Sequence, residues 1–136
     1  MSKPIASIAW PAEAQSSVEL LRRYMTKVVA DIGVSFGSAA YDPMSIVKGL
    51  LAGSLFEADR RSALTHWWNA VDGQGIRNLE HKDALTARLA VCLLTPNEGN
   101  ASDLGEQLSW FLEVLGFLGV DVDKAIEVME RHFPFI

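Results

Sequence analysis

The sequence predicts an all-α protein, a single-domain bundle of five or six helices. Apolar residues recur at helical spacing along most of the chain, caps and breakers separate these segments, and none shows the alternation of a strand. With 136 residues, of which 49% are hydrophobic, the chain can bury a core of its own. We therefore expect an irregular lead at residues 1–15 and one helical domain at residues 16–136.

The first helix follows this lead, which we expect Ile8 and Trp10 to hold against the domain. Ser16 and Glu19 have the spacing of a capping box, and Gly33 is placed to end the helix. The apolar positions between them share one face: Val18, Leu21, Met25, Val28, Val29 and Ile32. The positions expected to face water are Arg22, Arg23 and Lys27.

The next helical stretch begins with a cap at Asp42 and a proline at the first helical position, Pro43. Gly49 and Gly53 lower the helix propensity within it, so we expect a close crossing, a kink or a division into two helices. The glycines and polar residues at positions 72–75 predict its end.

Three more helices are predicted in the second half of the chain. The first covers residues 76–94 and ends before Thr95-Pro96. The second begins where Ser102 and Asp103 can cap it and ends at Gly119, and the third begins after a cap at Asp121. Pro134 prevents the last helix from continuing.

The segment 110–118 is apolar on every side of a helix, so it must be enclosed by other helices or by a second copy of the chain. Trp110, Val114 and Phe117 lie opposite the main apolar stripe of this helix. We expect these three residues to form a homodimer interface. The alternative is a central helix that is surrounded within one chain.

Trp67 and Trp68 are adjacent, so on a helix their side chains project about 100° apart. One of the two is therefore expected to remain partly exposed. Because tryptophan is enriched at binding hot spots, we include both among the candidate interface residues. A wide stripe that faces the core accounts for both equally well.

The net charge of −5 disfavours nucleic acids and acidic membranes as partners, since both attract basic surfaces. We expect the partner to be another protein. Because this chain is acidic, we expect that protein to be basic. The only cysteine, Cys92, lies in the apolar run 89–94 and is expected to pack rather than react. No segment has the length of a membrane span or the pattern of a secretion signal, so we expect a cytoplasmic protein.

Two carboxylate pairs have spacings that place both members on one side of a helix. They are Glu80 with Asp83, and Asp103 with Glu106. If the two helices face each other, the four side chains can offer the oxygen ligands that Mg²⁺ prefers. The alternative is that the first pair lies on a solvated face and the second complements a helix N-terminus.

The region 80–131 resembles the MazG-type all-α nucleoside triphosphate pyrophosphohydrolases. The likeness lies in the sequence Asp-Leu-Gly-Glu at 103–106, the aliphatic helix after it, and Leu-Gly-Val-Asp-Val-Asp-Lys-Ala-Ile at 118–126. In that family a Glu-x-x-Glu pair and a later Glu-x-x-Asp pair bind magnesium beside the triphosphate. Here the pairs read Glu80-x-x-Asp83 and Asp103-x-x-Glu106, so the resemblance implies the same carboxylates with different side-chain lengths.

A second spacing, Arg61 followed by His66, resembles the Arg-x4-His ribonuclease motif of the HEPN helical family. The structural alternative is a partly exposed histidine beside Trp67. His66, His81 and His132 lack the short spacings of a zinc site and the single cysteine adds no partner, so we expect no resident metal unless the magnesium hypothesis holds.

These observations favour a small acidic helical protein that acts by binding another protein, as an inhibitor, immunity factor or regulator. The alternative is a magnesium-dependent nucleoside triphosphate pyrophosphohydrolase of the MazG type. A HEPN-like ribonuclease is a more remote alternative. No cofactor is expected outside the magnesium hypothesis, and no catalytic residue is assigned.

Overall fold

The computed structural model describes residues 4–37, 41–74 and 82–136 of the chain. Within these ranges the chain forms six α-helices: α1 Ala14–Ile32, α2 Pro43–Ala52, α3 Glu57–Gln74, α4 Lys82–Leu94, α5 Leu104–Phe117 and α6 Val122–His132. Every helix contributes side chains to one continuous cluster of buried residues. The all-α prediction is confirmed, and no β-strand occurs in the described part of the chain.

Most helix ends lie where the local sequence predicts them. Gly33, Gly53 and Gly119 take positive φ angles of 79°, 77° and 82° at the ends of α1, α2 and α5. At the N-termini of α2 and α6, the carboxylates of Asp42 and Asp121 accept hydrogen bonds from backbone N–H groups. The expected division of the stretch after Asp42 into two helices is confirmed, because α2 ends before Gly53 and α3 starts at residue 57.

Two predicted caps are wrong. The first helix begins at Ala14 rather than after Ser16, and Ser17 Oγ instead donates a hydrogen bond of 2.8 Å to the carbonyl of Pro11. Asp103 makes no side-chain capping bond, because a 3₁₀-helix at residues 98–103 leads directly into α5. The cap lies earlier, where the side chain of Asn97 accepts a hydrogen bond from the N–H of Gly99 at 2.7 Å.

The enclosed helix of the bundle is α4, not the predicted segment 110–118. Residues 89–94 are all buried, and six consecutive buried residues cover more than one helical turn. The helix α4 is enclosed because α3 and α5 both pack on it. The helix α5 instead turns one face outward, on which Glu113 and Phe117 are exposed.

The described part of the N-terminal lead is held by the other end of the chain. The N–H of Ala9 donates to the carbonyl of Pro134 at 2.8 Å, and the N–H of Ile136 donates to the carbonyl of Ser7 at the same distance. Ile8 is buried, as expected. Trp10 meets the ring of Phe133 edge to face, with 5.3 Å between centroids.

Arg60 joins α3 to the C-terminal end of α4. The residue is only 5% exposed, and its Nη1 donates a 2.8 Å hydrogen bond to the carbonyl of Leu94, the last residue of α4. Its Nε lies 2.9 and 3.0 Å from the two carboxylate oxygens of Glu57. One guanidinium therefore satisfies a helix-end carbonyl and is neutralised by a carboxylate on its own helix.

Two further side-chain groups complete this helix end. Arg22 is predicted to face water, but its Nη2 donates a 2.8 Å hydrogen bond to the carbonyl of Pro96. The side-chain amides of Asn97 and Asn100 donate to the carbonyl of Thr95 at 3.2 and 2.9 Å. The end of α4 is thus bonded by groups from α1, α3 and the segment that comes after it.

Tyr24 makes a corresponding link between α1 and α6. Its hydroxyl donates a 2.7 Å hydrogen bond to the carbonyl of Ala125, and its ring lies against those of Phe111 and Phe133. Burial raises the pKa of this hydroxyl above its ordinary value of 10.0.

We expect Arg60→Met to lower the free energy of unfolding by about 1–3 kcal/mol, because the carbonyl of Leu94 loses its partner while the buried stem is kept. The matched control is Arg61→Met on the exposed neighbouring residue, which should leave the urea midpoint unchanged. Equal midpoints for the two variants would contradict the role of Arg60.

We expect stability to fall as the pH rises above about 10, because unfolded Tyr24 ionises there while the folded state retains the neutral hydroxyl. The contribution is complete below that pH. In Tyr24→Phe this decline should be shallower, with the remainder supplied by Cys92, whose thiol pKa is also raised by burial. Melting temperatures between neutral and strongly alkaline pH test this.

Candidate functional site

Two tryptophans from different helices stack at the surface of the bundle. The indoles of Trp68 on α3 and Trp110 on α5 lie nearly parallel, at 18°, with 6.4 Å between centroids. In the described residues the backbones of α3 and α5 both pack on α4, and the two indoles form a side-chain contact between α3 and α5. Trp68 is 37% exposed and Trp110 is half-buried.

The outward face of α5 extends this aromatic pair. Glu106, Trp110, Glu113 and Phe117 succeed each other at spacings of four, three and four residues, which places them on one side of the helix. Phe117 is 57% exposed, which is unusual for so large an apolar side chain. We call Trp68, Trp110 and Phe117 the aromatic surface. Because α5 contains glutamates but no lysine or arginine, this surface is acidic as well as aromatic.

The other two predicted interface residues are inside the chain. Trp67 is 6% exposed, and its indole N–H donates a 2.7 Å hydrogen bond to the carbonyl of Tyr41. Val114 is likewise buried in the core. The expectation that one of the adjacent tryptophans stays partly exposed is confirmed, and that one is Trp68. Trp67 and Val114 therefore lie in the core rather than on the face that carries Trp68 and Phe117.

Two of the predicted magnesium ligands line different clefts. Asp83 lies in the first turn of α4 and borders a cleft of about 360 Å³ beside Trp67. Glu106 lies in the first turn of α5 and borders a cleft of about 370 Å³ beside Trp10. The two clefts share no lining residue, so the structure does not bring these carboxylates into one cavity.

Of the two remaining predicted ligands, Asp103 is exposed at the start of α5, and Glu80, like His81, lies outside the described residues. Among the side chains that the structure describes, no three from histidine, cysteine, aspartate or glutamate are arranged to hold a metal ion. With Glu80 undescribed, the magnesium site stays a prediction.

The ring of His66 stacks on that of Tyr41, with centroids 4.6 Å apart and planes at 17°. Arg61 is exposed on the same helix. Five residues correspond to about 140° around a helix, so the two side chains leave α3 in different directions. The HEPN-like ribonuclease stays a prediction.

The structure also contains a charged cleft that the sequence did not indicate. It has a volume of about 450 Å³ and lies between α1, the turn from α2 to α3, and residues 97–99. Arg22 and Glu57 line this cleft, and both interact electrostatically with Arg60. The pKa of Arg22 is lowered mainly by burial. The pKa of Glu57 is lowered mainly by its hydrogen bond to Arg60. The residues that form the cleft are far apart in sequence, so no local pattern could have predicted it.

Comparisons with known proteins add no further assignment. The chain matches no protein-family model, no curated protein and no solved structure. None of the described helices has the combination of length and apolar character that a membrane crossing needs.

We expect the two adjacent tryptophans to respond very differently to truncation. Trp67→Ala removes a buried ring and leaves the carbonyl of Tyr41 unpaired, so it should cost about 3–5 kcal/mol of unfolding free energy. Trp68→Ala removes an exposed ring and should cost about 1 kcal/mol or less. Denaturant unfolding of both variants checks this, and similar losses would contradict the assignment of Trp68 to the surface.

Proposed function

We propose that this chain acts by binding another protein, as an inhibitor, immunity factor or regulator, and that the partner presents a basic surface. The observation that carries the proposal is the stacked, solvent-accessible pair of Trp68 and Trp110, with exposed Phe117 on the same face of α5. Tryptophan is among the residues most enriched at binding hot spots. Aromatic surface that the fold leaves uncovered is typical of such sites.

The chemistry of the aromatic surface favours arginine or lysine on the partner. An indole face attracts a guanidinium or ammonium group, and Glu106 and Glu113 offer carboxylates beside Trp110. The net charge of −5 would also accelerate association with a basic protein, with a rate that falls as salt is added.

A second copy of the chain is the other occupant to consider, since the sequence predicts a homodimer. Trp110 and Phe117 are accessible for such an interface, whereas Val114 is not. A two-fold interface on this face would bring Glu113 towards its own copy. Like charges at an interface oppose association, so the charge favours a different, basic partner.

We expect the double variant Trp68→Ala with Phe117→Ala to weaken partner binding by about a hundredfold or more, because two hot-spot aromatics are removed. The matched control is Phe56→Ala, at a phenylalanine that is 69% exposed but lies at the charged cleft. Affinity capture with the wild type and both variants identifies the partner. Dissociation constants of the purified complex at two salt concentrations then test whether charge attraction contributes to binding. The proposal would be contradicted if the double variant kept the wild-type affinity for the partner, or if the dissociation constant did not change with salt.

Two measurements separate this proposal from its alternatives. Sedimentation at micromolar concentration gives the mass, and a dimer dissociated by Trp68→Ala with Phe117→Ala would assign the surface to self-association instead. A thermal-shift screen with Mg²⁺ and nucleoside triphosphates tests the pyrophosphohydrolase. A metal-dependent shift lost in Asp103→Asn with Glu106→Gln would favour that enzyme over the binding protein.

A further inference from the structure

The charged cleft is separate from the aromatic surface and has the size of a small-molecule site. Its volume of about 450 Å³ falls in the range of ligand pockets. It lies between α1, the turn from α2 to α3, and residues 97–99. None of its lining residues belongs to the aromatic surface, so a ligand in this cleft would be independent of the proposed function.

Arg22 provides a positioned cation in this cleft. Its Nη2 is held by the carbonyl of Pro96 at 2.8 Å, which fixes the plane of the guanidinium. The ion pair that Arg60 forms with Glu57 at this cleft does not include Arg22. None of its nitrogens is both buried and unpaired, so its remaining donors can reach a ligand.

Two carboxylates lie on separate walls of the cleft. Glu19 comes from α1 and Glu98 from the segment after α4, and both act electrostatically on Arg22. The third carboxylate, Glu57, is engaged by Arg60. The cleft therefore presents one cation, Arg22, and two carboxylates, of which Glu19 also accepts a 3.3 Å hydrogen bond from Nε2 of Gln15. This arrangement suits a ligand that carries both charges.

The remaining wall is apolar. Leu50 and Leu55 line the cleft from α2 and the turn after it, and the exposed ring of Phe56 stands at its edge. Val18 contributes from α1. A ligand that fits must therefore offer a hydrocarbon group in addition to its two charges.

We propose that this cleft binds a free α-amino acid with an apolar side chain. The ligand carboxylate accepts hydrogen bonds from Arg22, its ammonium group lies between Glu19 and Glu98, and its side chain packs against Leu50 and Leu55. The two charges of the ligand are each complementary to groups that line the cleft, so a molecule that lacks either one loses a charge-assisted interaction.

The test is titration of the full-length protein with L-leucine, monitored by amide chemical shifts and by calorimetry. Leucinamide, which lacks the carboxylate, and N-acetylleucine, which lacks the ammonium group, should each bind about tenfold more weakly or worse. The proposal is overturned if either analogue binds as tightly as leucine. It is equally overturned if leucine, isoleucine, valine, methionine and phenylalanine all fail to bind at millimolar concentration.

Three variants assign the charges to their residues. Glu98→Gln, at an exposed side chain, should weaken leucine about tenfold and leave N-acetylleucine unaffected, since only the ammonium loses its partner. Arg22→Gln should erase the preference for leucine over leucinamide. Glu127→Gln, an exposed carboxylate outside the cleft, should change nothing. Arg22→Gln also removes the hydrogen bond to Pro96 and can therefore fail to fold. In that case Glu98→Gln decides the outcome. Unchanged leucine binding by Glu98→Gln overturns the proposal.

Discussion

The fold depends on bonding the backbone carbonyls at the end of the enclosed helix α4. A helix leaves its last carbonyls without partners, and at a buried end water cannot replace them. Arg60 from α3 bonds Leu94, Arg22 from α1 bonds Pro96, and Asn100 bonds Thr95. Three separate parts of the chain are thereby fixed to one point, which is why side chains distant in sequence meet there.

The same constraint forms the charged cleft. Arg22 is drawn towards the carbonyl of Pro96 and away from water, although its position on α1 is that of a solvent-facing residue. Glu57 neutralises Arg60, which keeps two guanidinium groups tolerable near one helix end. The capping of α4 therefore accounts for the positions of Arg22 and Glu57 in the cleft. The carboxylates of Glu19 and Glu98 also line the cleft, but they do not take part in this capping.

The sequence predicted features that depend on local signals and missed those that depend on distant contacts. Gly33, Asp42 and Asp121 specify helix ends by backbone conformation or by a hydrogen bond two residues away, so those ends were predictable. Apolar composition alone could not distinguish α4 from α5 as the enclosed helix. The inward turn of Trp67 depends on the carbonyl of Tyr41, 26 residues away, and no periodicity contains that information.

Helix α3 connects the two candidate sites. It carries Glu57 and Arg60 at one end and Trp68 two turns after Arg60, about 12 Å along the axis. Arg60 bonds the end of α4 and so contributes to the position of α3, the helix from which Trp68 reaches Trp110. The stacked tryptophans and the charged cleft therefore depend on the same packing of α3 against α4.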